Sequence, residues 1–119
     1  MPPVIEPPAP PARPTADQVA SASAEPTDAE AVARRGDQLM EIGDVIGARL
    51  CYERAAASGM ATAATRVGMT YDPLFLAANG VQGLQGDPAQ AAAWYRKGMS
   101  AGDPEALRRL SALAQLPVR

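Results

Sequence analysis

The segment GVQGLQGDPAQAAAWYRKGMSAGDPEA, Gly80–Ala106, marks the start of a helix twice in the same way. Asp87-Pro88 sets a capping carboxylate before a proline whose fixed φ suits the first helical turn. Gly102 tolerates the left-handed geometry that closes a helix, and Asp103-Pro104 begins the next one. Ala91, Tyr95 and Gly98 fall on one helical face, because positions three and four apart stack above each other. Small residues on that face let two backbones approach, and a tyrosine ring fills the gap that remains. The pattern predicts one helix from Asp87-Pro88 to Ala101 and another from Asp103-Pro104 to about Leu116, stopped by Pro117.

The same grammar stands 43 residues earlier. Gly43-Asp44 matches Gly86-Asp87, Ala48 matches Ala91, and Tyr52 matches Tyr95. Arg54 matches Lys97, Gly59 matches Gly102, Ala63 matches Ala106, and Arg66 matches Arg109. A second register joins Gly36 and Leu39 to Gly68 and Tyr71 at a shift of 32. The two shifts differ because of an insertion within Asp72–Gly83, bounded near residues 72–85, between the paired helices of the second unit. A helical hairpin of this size buries a continuous core only by stacking on its neighbours.

Outward from these segments, Thr27 and Glu30 form a capping box for a helix over Asp28–Ile42, with Ala31, Val32, Leu39 and Ile42 among its apolar positions. The next helix runs to about Ser58, with Ile46, Ala48, Cys51, Tyr52, Ala55 and Ala56 turned inward or toward the seam, and another covers roughly Ala61–Tyr71. Pro73 biases Asp72 away from helical geometry, and Asp72 can cap a short apolar turn through Leu74, Phe75, Leu76 and Ala77, closed by Asn79-Gly80. That turn is expected to fold back over the core. Gly36 and Gly68 are expected where the first helix of each pair meets the second. The fold class is therefore all-α: stacked antiparallel helical hairpins forming a short solenoid over residues 27–119.

Gly80, Val81, Asp87, Ala91, Trp94-Tyr95, Gly102 and Ala106 together resemble a Sel1-like repeat, a subclass of the tetratricopeptide superfamily. The resemblance extends over about Ala31–Leu113, with Cys51-Tyr52 standing where the earlier unit would carry Trp-Tyr. Gly98 replaces the family's usual alanine, the Asp72–Asn79 insert is unusually apolar, and the last helix lacks the glycine expected near Ser111, as a terminal capping helix would. Proteins of that family resemble adaptors that scaffold complexes, often in bacterial signalling or envelope-related processes. The resemblance thus implies protein binding rather than chemistry.

Residues 1–26 hold eight of the twelve prolines and almost no large apolar side chains. Such a stretch cannot bury enough surface to offset its ordering entropy, so it reads as a Pro/Ala-rich disordered tail or linker. Pro11-Ala12-Arg13-Pro14 is its nearest approach to a polyproline ligand. A proline-rich opening suits the excised end of a longer chain, here the C-terminal part of a larger regulatory protein. Residues 28–119 carry ten acidic and ten basic residues, with no basic stripe of the kind nucleic acid requires. No apolar run is long enough to span a membrane, and the N-terminus lacks a signal-peptide pattern. One cysteine, Cys51, allows no internal disulfide. These features favour the cytoplasm, with a periplasmic or envelope-associated place open to a longer parent chain.

Histidine is absent, which removes Ser-His and Cys-His arrangements and imidazole metal sites. Cys51 reads as a buried structural thiol, and no pair of cysteines offers zinc-ligand spacing. Asp44, Asp72, Asp87 and Asp103 are accounted for as caps. No cofactor or metal is expected. The leading expectation is a noncatalytic module that holds another protein or peptide segment. A purely structural spacer or cap is the alternative, and a small-ligand or enzymatic domain using paired carboxylates is a third reading. The candidate protein-binding positions are Arg35, Gln38, Glu41 and Ile42 on the first helix, Thr62, Thr65, Arg66 and Met69 on the third, and Leu74 and Phe75 in the insert.

Overall fold

A computed structural model describes residues 27–117, and the proline-rich segment 1–26 lies outside the described residues. Among the described residues six helices follow in order: α1 (Asp28–Glu41), α2 (Val45–Ala57), α3 (Ala61–Tyr71), α4 (Pro73–Ala78), α5 (Pro88–Ser100) and α6 (Pro104–Ala114). There is no strand among the described residues. The chain is all-α, as its punctuation predicts.

The caps fix these boundaries. Thr27 accepts from the Glu30 amide at 3.1 Å, and Glu30 returns the bond to the Thr27 amide at 3.2 Å. Asp44, Asp72, Asp87 and Asp103 each accept a backbone N–H in the first turn of the helix that follows. The stops are equally regular. The Met60 amide reaches back to Ala55 O and the Gly59 amide to Ala56 O, while Asp103 and Gly102 repeat this on Gly98 and Met99. This double closure needs a left-handed residue, and Gly59 and Gly102 supply it at φ +95° and +102°.

α1 packs on α2, α2 on α3, α3 on α5, and α5 on α6, while α4 rests against α3. The first hairpin is thus α1/α2 and the second is α3/α5, with α4 and its loop inserted between the partners. The insert is an excursion whose ends meet. The Asp87 amide donates to Tyr71 O at 2.7 Å, joining the end of α3 to the start of α5. Gly86 lies so close to Pro73 that a Cβ there would stand 2.7 Å from the proline Cβ. Leu76 is buried, so α4 does cover the core as its apolar sequence suggests.

The core is thin. Ala33, Ala48, Ala55, Ala63, Ala91 and Ala106 are buried, and the aromatic residues buried with them are Tyr52 and Tyr95. Each tyrosine lies against a glycine on the facing helix, Tyr52 against Gly36 and Tyr95 against Gly68. Gly98 does the same for α5 against Thr65 and Ala106. The expected face of α1 holds in part, with Val32 and Leu39 packed against the core. Ala33 and Gly36 are the buried positions, while Ala31 and Ile42 are exposed. The apolar count favoured bulk, whereas the packing uses the small residues that admit Tyr52. Ile46 is likewise exposed, because α2 turns Val45, Ala48, Tyr52 and Ala55 inward.

The glycine seats predict a measurable asymmetry. A Cβ at Gly68 would stand 2.6 Å from the Tyr95 ring and 3.1 Å from the Ala91 carbonyl oxygen, which cannot rotate away. Overpacking of this kind costs about 1–3 kcal/mol, and alanine's better helix propensity returns about 1 kcal/mol. Gly68→Ala is therefore expected to lose up to about 2 kcal/mol in urea denaturation, and Gly36→Ala less, since the nearest atoms there all belong to the Tyr52 side chain. A stabilised Gly68→Ala variant would contradict the close approach.

Candidate functional site

The two tyrosines do more than fill space. Tyr52 donates its hydroxyl to Asp37 Oδ1 at 2.5 Å, and Tyr95 donates to Asp72 Oδ2 at 2.6 Å. Burial, and then the bonded carboxylate, push both phenols well above the ordinary tyrosine range. Arg66 and Arg109 stand near Tyr52 and Tyr95 and pull the other way. Each seam therefore holds a tyrosine, an aspartate and an arginine. The acceptors come from different places. Asp37 lies one residue after Gly36, whereas Asp72 lies four after Gly68, at the end of α3. Asp72 also caps α4 through its other oxygen, 2.8 Å from the Leu74 amide.

Around the first of these clusters the surface opens into a cleft of about 180 Å³. Asp37, Tyr52, Arg66 and Thr70 supply its polar lining, and Met40, Met69 and Phe75 its apolar lining. Met40 and Phe75 also border a second hollow of about 550 Å³ with Glu41, Gly43, Asn79, Gly80, Val81 and Gln82. The two hollows adjoin at those side chains and together are the trough between α1, α3 and the insert. α4 forms part of its wall. The Thr70 hydroxyl is already occupied: it donates to Val67 O at 2.6 Å and accepts from Arg49 Nε at 2.9 Å.

Of the sequence candidates, Arg66, Met69 and Phe75 line the cleft and Glu41 the adjoining hollow. Arg35 does not join them. It borders a separate depression with Val32, Leu50, Cys51 and Arg54, and donates to Gln38 at 3.3 Å. Ile42, Thr62 and Leu74 are exposed but line none of these hollows. Thr65 must be withdrawn as a surface position. It is 2% exposed, because Gly98 has no side chain to hold α5 away, and its hydroxyl has no partner among the described residues. Cys51 is half-buried rather than enclosed.

Asp37, Met40, Tyr52 and Thr70 were missed as cleft residues. Met40 had a signal: it stands four residues after Gly36, on the face that receives Tyr52. Among the described residues, no cluster of histidine, cysteine, aspartate or glutamate could hold a metal ion, and no helix is long and apolar enough to cross a membrane. No family model, curated protein or solved structure matches the chain.

The seams differ in what they lose on losing a hydroxyl. Asp72 is 2% exposed, whereas the Asp37 side chain is 44% exposed and can turn to water. Tyr95→Phe is expected to cost about 1.5–3 kcal/mol and Tyr52→Phe less than about 1 kcal/mol. Both phenols keep their protons beyond the unfolded tyrosine value of about 10. Their contribution to stability is therefore complete below pH ~10 and is lost as pH rises from there toward the native values. In an alkaline titration, tyrosinate absorbance assigned to Tyr52 and Tyr95 by the phenylalanine variants should appear only as helical circular dichroism disappears. Ordinary titration of either residue in the folded chain would contradict the buried bonds.

Proposed function

We propose that the chain is a noncatalytic module that binds another protein through the trough between α1, α3 and the insert, and that it is of the Sel1-like kind. The observation that carries this reading is the cleft lined by Met40, Met69 and Phe75 over the Tyr52–Asp37 pair. Methionine is unbranched and polarisable, so two of them with a phenylalanine make a lining that adapts to a partner's side chain. The cleft itself holds about 180 Å³. It has room for one large apolar side chain. The adjoining hollow gives the rest of a peptide a place to lie, which matches the groove mode of segment recognition.

Support also comes from the helix order α1/α2, α3/α5, α6, which follows the hairpin stacking of Sel1-like chains. Gly80, Val81, Asp87, Trp94, Tyr95, Gly102 and Ala106 carry the likeness in sequence. Asp87 caps α5, Tyr95 fills a seam, Gly102 closes a helix and Ala106 is buried.

Selecting random short peptides on the immobilised chain, then mapping the enriched ones by NMR, tests the reading. Bound peptides should shift the signals of Met40, Tyr52 and Met69. Met69→Gln keeps the side-chain length but removes its apolar character, and should weaken them about tenfold with the helical spectrum unchanged. Selected peptides that bind a different surface, or are indifferent to Met69→Gln, would overturn the trough as the binding site.

A further inference from the structure

Three arginines are half-buried among the described residues: Arg49, Arg66 and Arg109. Arg49 gives Nε and Nη2 to the Thr70 hydroxyl and carbonyl, at 2.9 and 2.8 Å, and stacks 3.7 Å from the Tyr71 ring centroid. Arg109 is held by Glu105 through Nε and Nη2, at 2.9 and 2.8 Å. Arg66 has no hydrogen-bond acceptor among the described residues. Its closest carboxylate oxygen, Asp37 Oδ1, is 3.8 Å from Nε, and that oxygen already accepts the Tyr52 hydroxyl.

The repeat explains why. Arg66 stands 43 residues before Arg109, and Thr62 stands 43 residues before Glu105. The later copy, on α6, places a carboxylate one turn before its arginine, whereas the earlier copy, on α3, places a threonine there. A guanidinium offers five donors in a rigid fork that matches a carboxylate. The Arg66 side chain is 34% exposed and lines the open cleft beside Met69. It is thus partly desolvated, held beside Asp37 at 3.8 Å and over the Tyr52 ring at 5.9 Å from its centroid, with no hydrogen-bonded partner among the described residues.

We propose that Arg66 receives an acidic side chain of the bound segment, in the role Glu105 plays for Arg109. The ligand is then a peptide with a glutamate or aspartate next to a large apolar residue. The apolar residue sits among Met40, Met69 and Phe75, and the carboxylate bonds Arg66. This proposal rests on the trough being a protein-binding site. Asp37 and Glu41 are the negative groups that the ligand would face. Asp37 is committed to Tyr52, and Glu41 lines the adjoining hollow rather than the cleft. Asp37 stands inside the cleft, so the Arg66 guanidinium must lie between it and the incoming carboxylate, and its unbonded donors allow that.

The test uses the full chain, labelled with nitrogen-15, and three end-blocked peptides that differ only at their centre: Glu-Leu-Glu, Gln-Leu-Gln and Lys-Leu-Lys. The acidic peptide should bind about tenfold or more tightly than the neutral one, and should shift the Arg66 Nε–H signal. The Thr62→Glu variant installs the missing internal partner. It should cut the acidic peptide's affinity to that of the neutral one without lowering the urea midpoint, since an acidic residue in the first turn of α3 favours the helix. Arg66→Gln should have the same effect on binding. If the acidic and neutral peptides bind the cleft equally, or the basic one binds best, the carboxylate assignment falls and the protein-binding reading stands. If no peptide, designed or selected, moves a cleft signal, both fall.

Discussion

The α1/α2 and α3/α5 seams are each held by a tyrosine ring seated on a glycine, with its hydroxyl tied to a carboxylate. The rest of the packing follows from that. A core built mostly of alanine has little bulk with which to exclude water, so the helices must run close together. Close approach leaves no room for a side chain opposite the ring, and Gly36 and Gly68 meet that demand. Phenylalanine could fill the same volume but could not bond the aspartate. The hydroxyl fixes the depth and angle of the ring, and hence the register of α2 on α1 and of α5 on α3.

Asp72 concentrates several of these constraints in one buried residue. Its backbone N–H bonds Met69 O at the end of α3, and its carbonyl accepts the Leu76 amide inside α4. One carboxylate oxygen caps α4 and the other holds Tyr95. The direction of the insert is thus coupled to the packing of the second hairpin. Phe75 benefits from this. It lines the open cleft, as Arg66 does, and also lies 5.5 Å from the Arg109 guanidinium.

Most of the fold was legible in the sequence because its signals are local. Asp87-Pro88, Asp103-Pro104, Gly59 and Gly102 act on their own backbone, and the observed helix ends fall within one or two residues of where those signals put them. The buried tyrosines and the seam glycines were legible through the internal shifts, since two copies of one packing problem carry the same solution, but the seating of each ring on a glycine was not. The site was legible only in part. Arg66, Met69 and Phe75 could be placed from the helices that carry them, but the role of Asp37 could not. Its tyrosine partner is 15 residues away, and the second unit takes its carboxylate from a different position. Thr65 misled because threonine on a helix usually faces water, and only the absence of a side chain at Gly98 buries it. Ile42 misled in the opposite sense, as bulk on a face that the close-packed core does not use.

The two seams also show how a repeat acquires a site. The framework gives both units the same tyrosine, the same glycine seat and the same arginine, so nothing in it distinguishes one seam from the other. The differences lie where the repeat is broken. At the second seam Glu105 saturates Arg109, and α4 buries Asp72 beneath it. At the first seam Thr62 offers no carboxylate and Asp37 remains partly exposed, so charge and apolar surface stay open together. Stacking needs the repeated residues, but recognition needs groups left unsatisfied by stacking. Those groups stand where the two halves disagree.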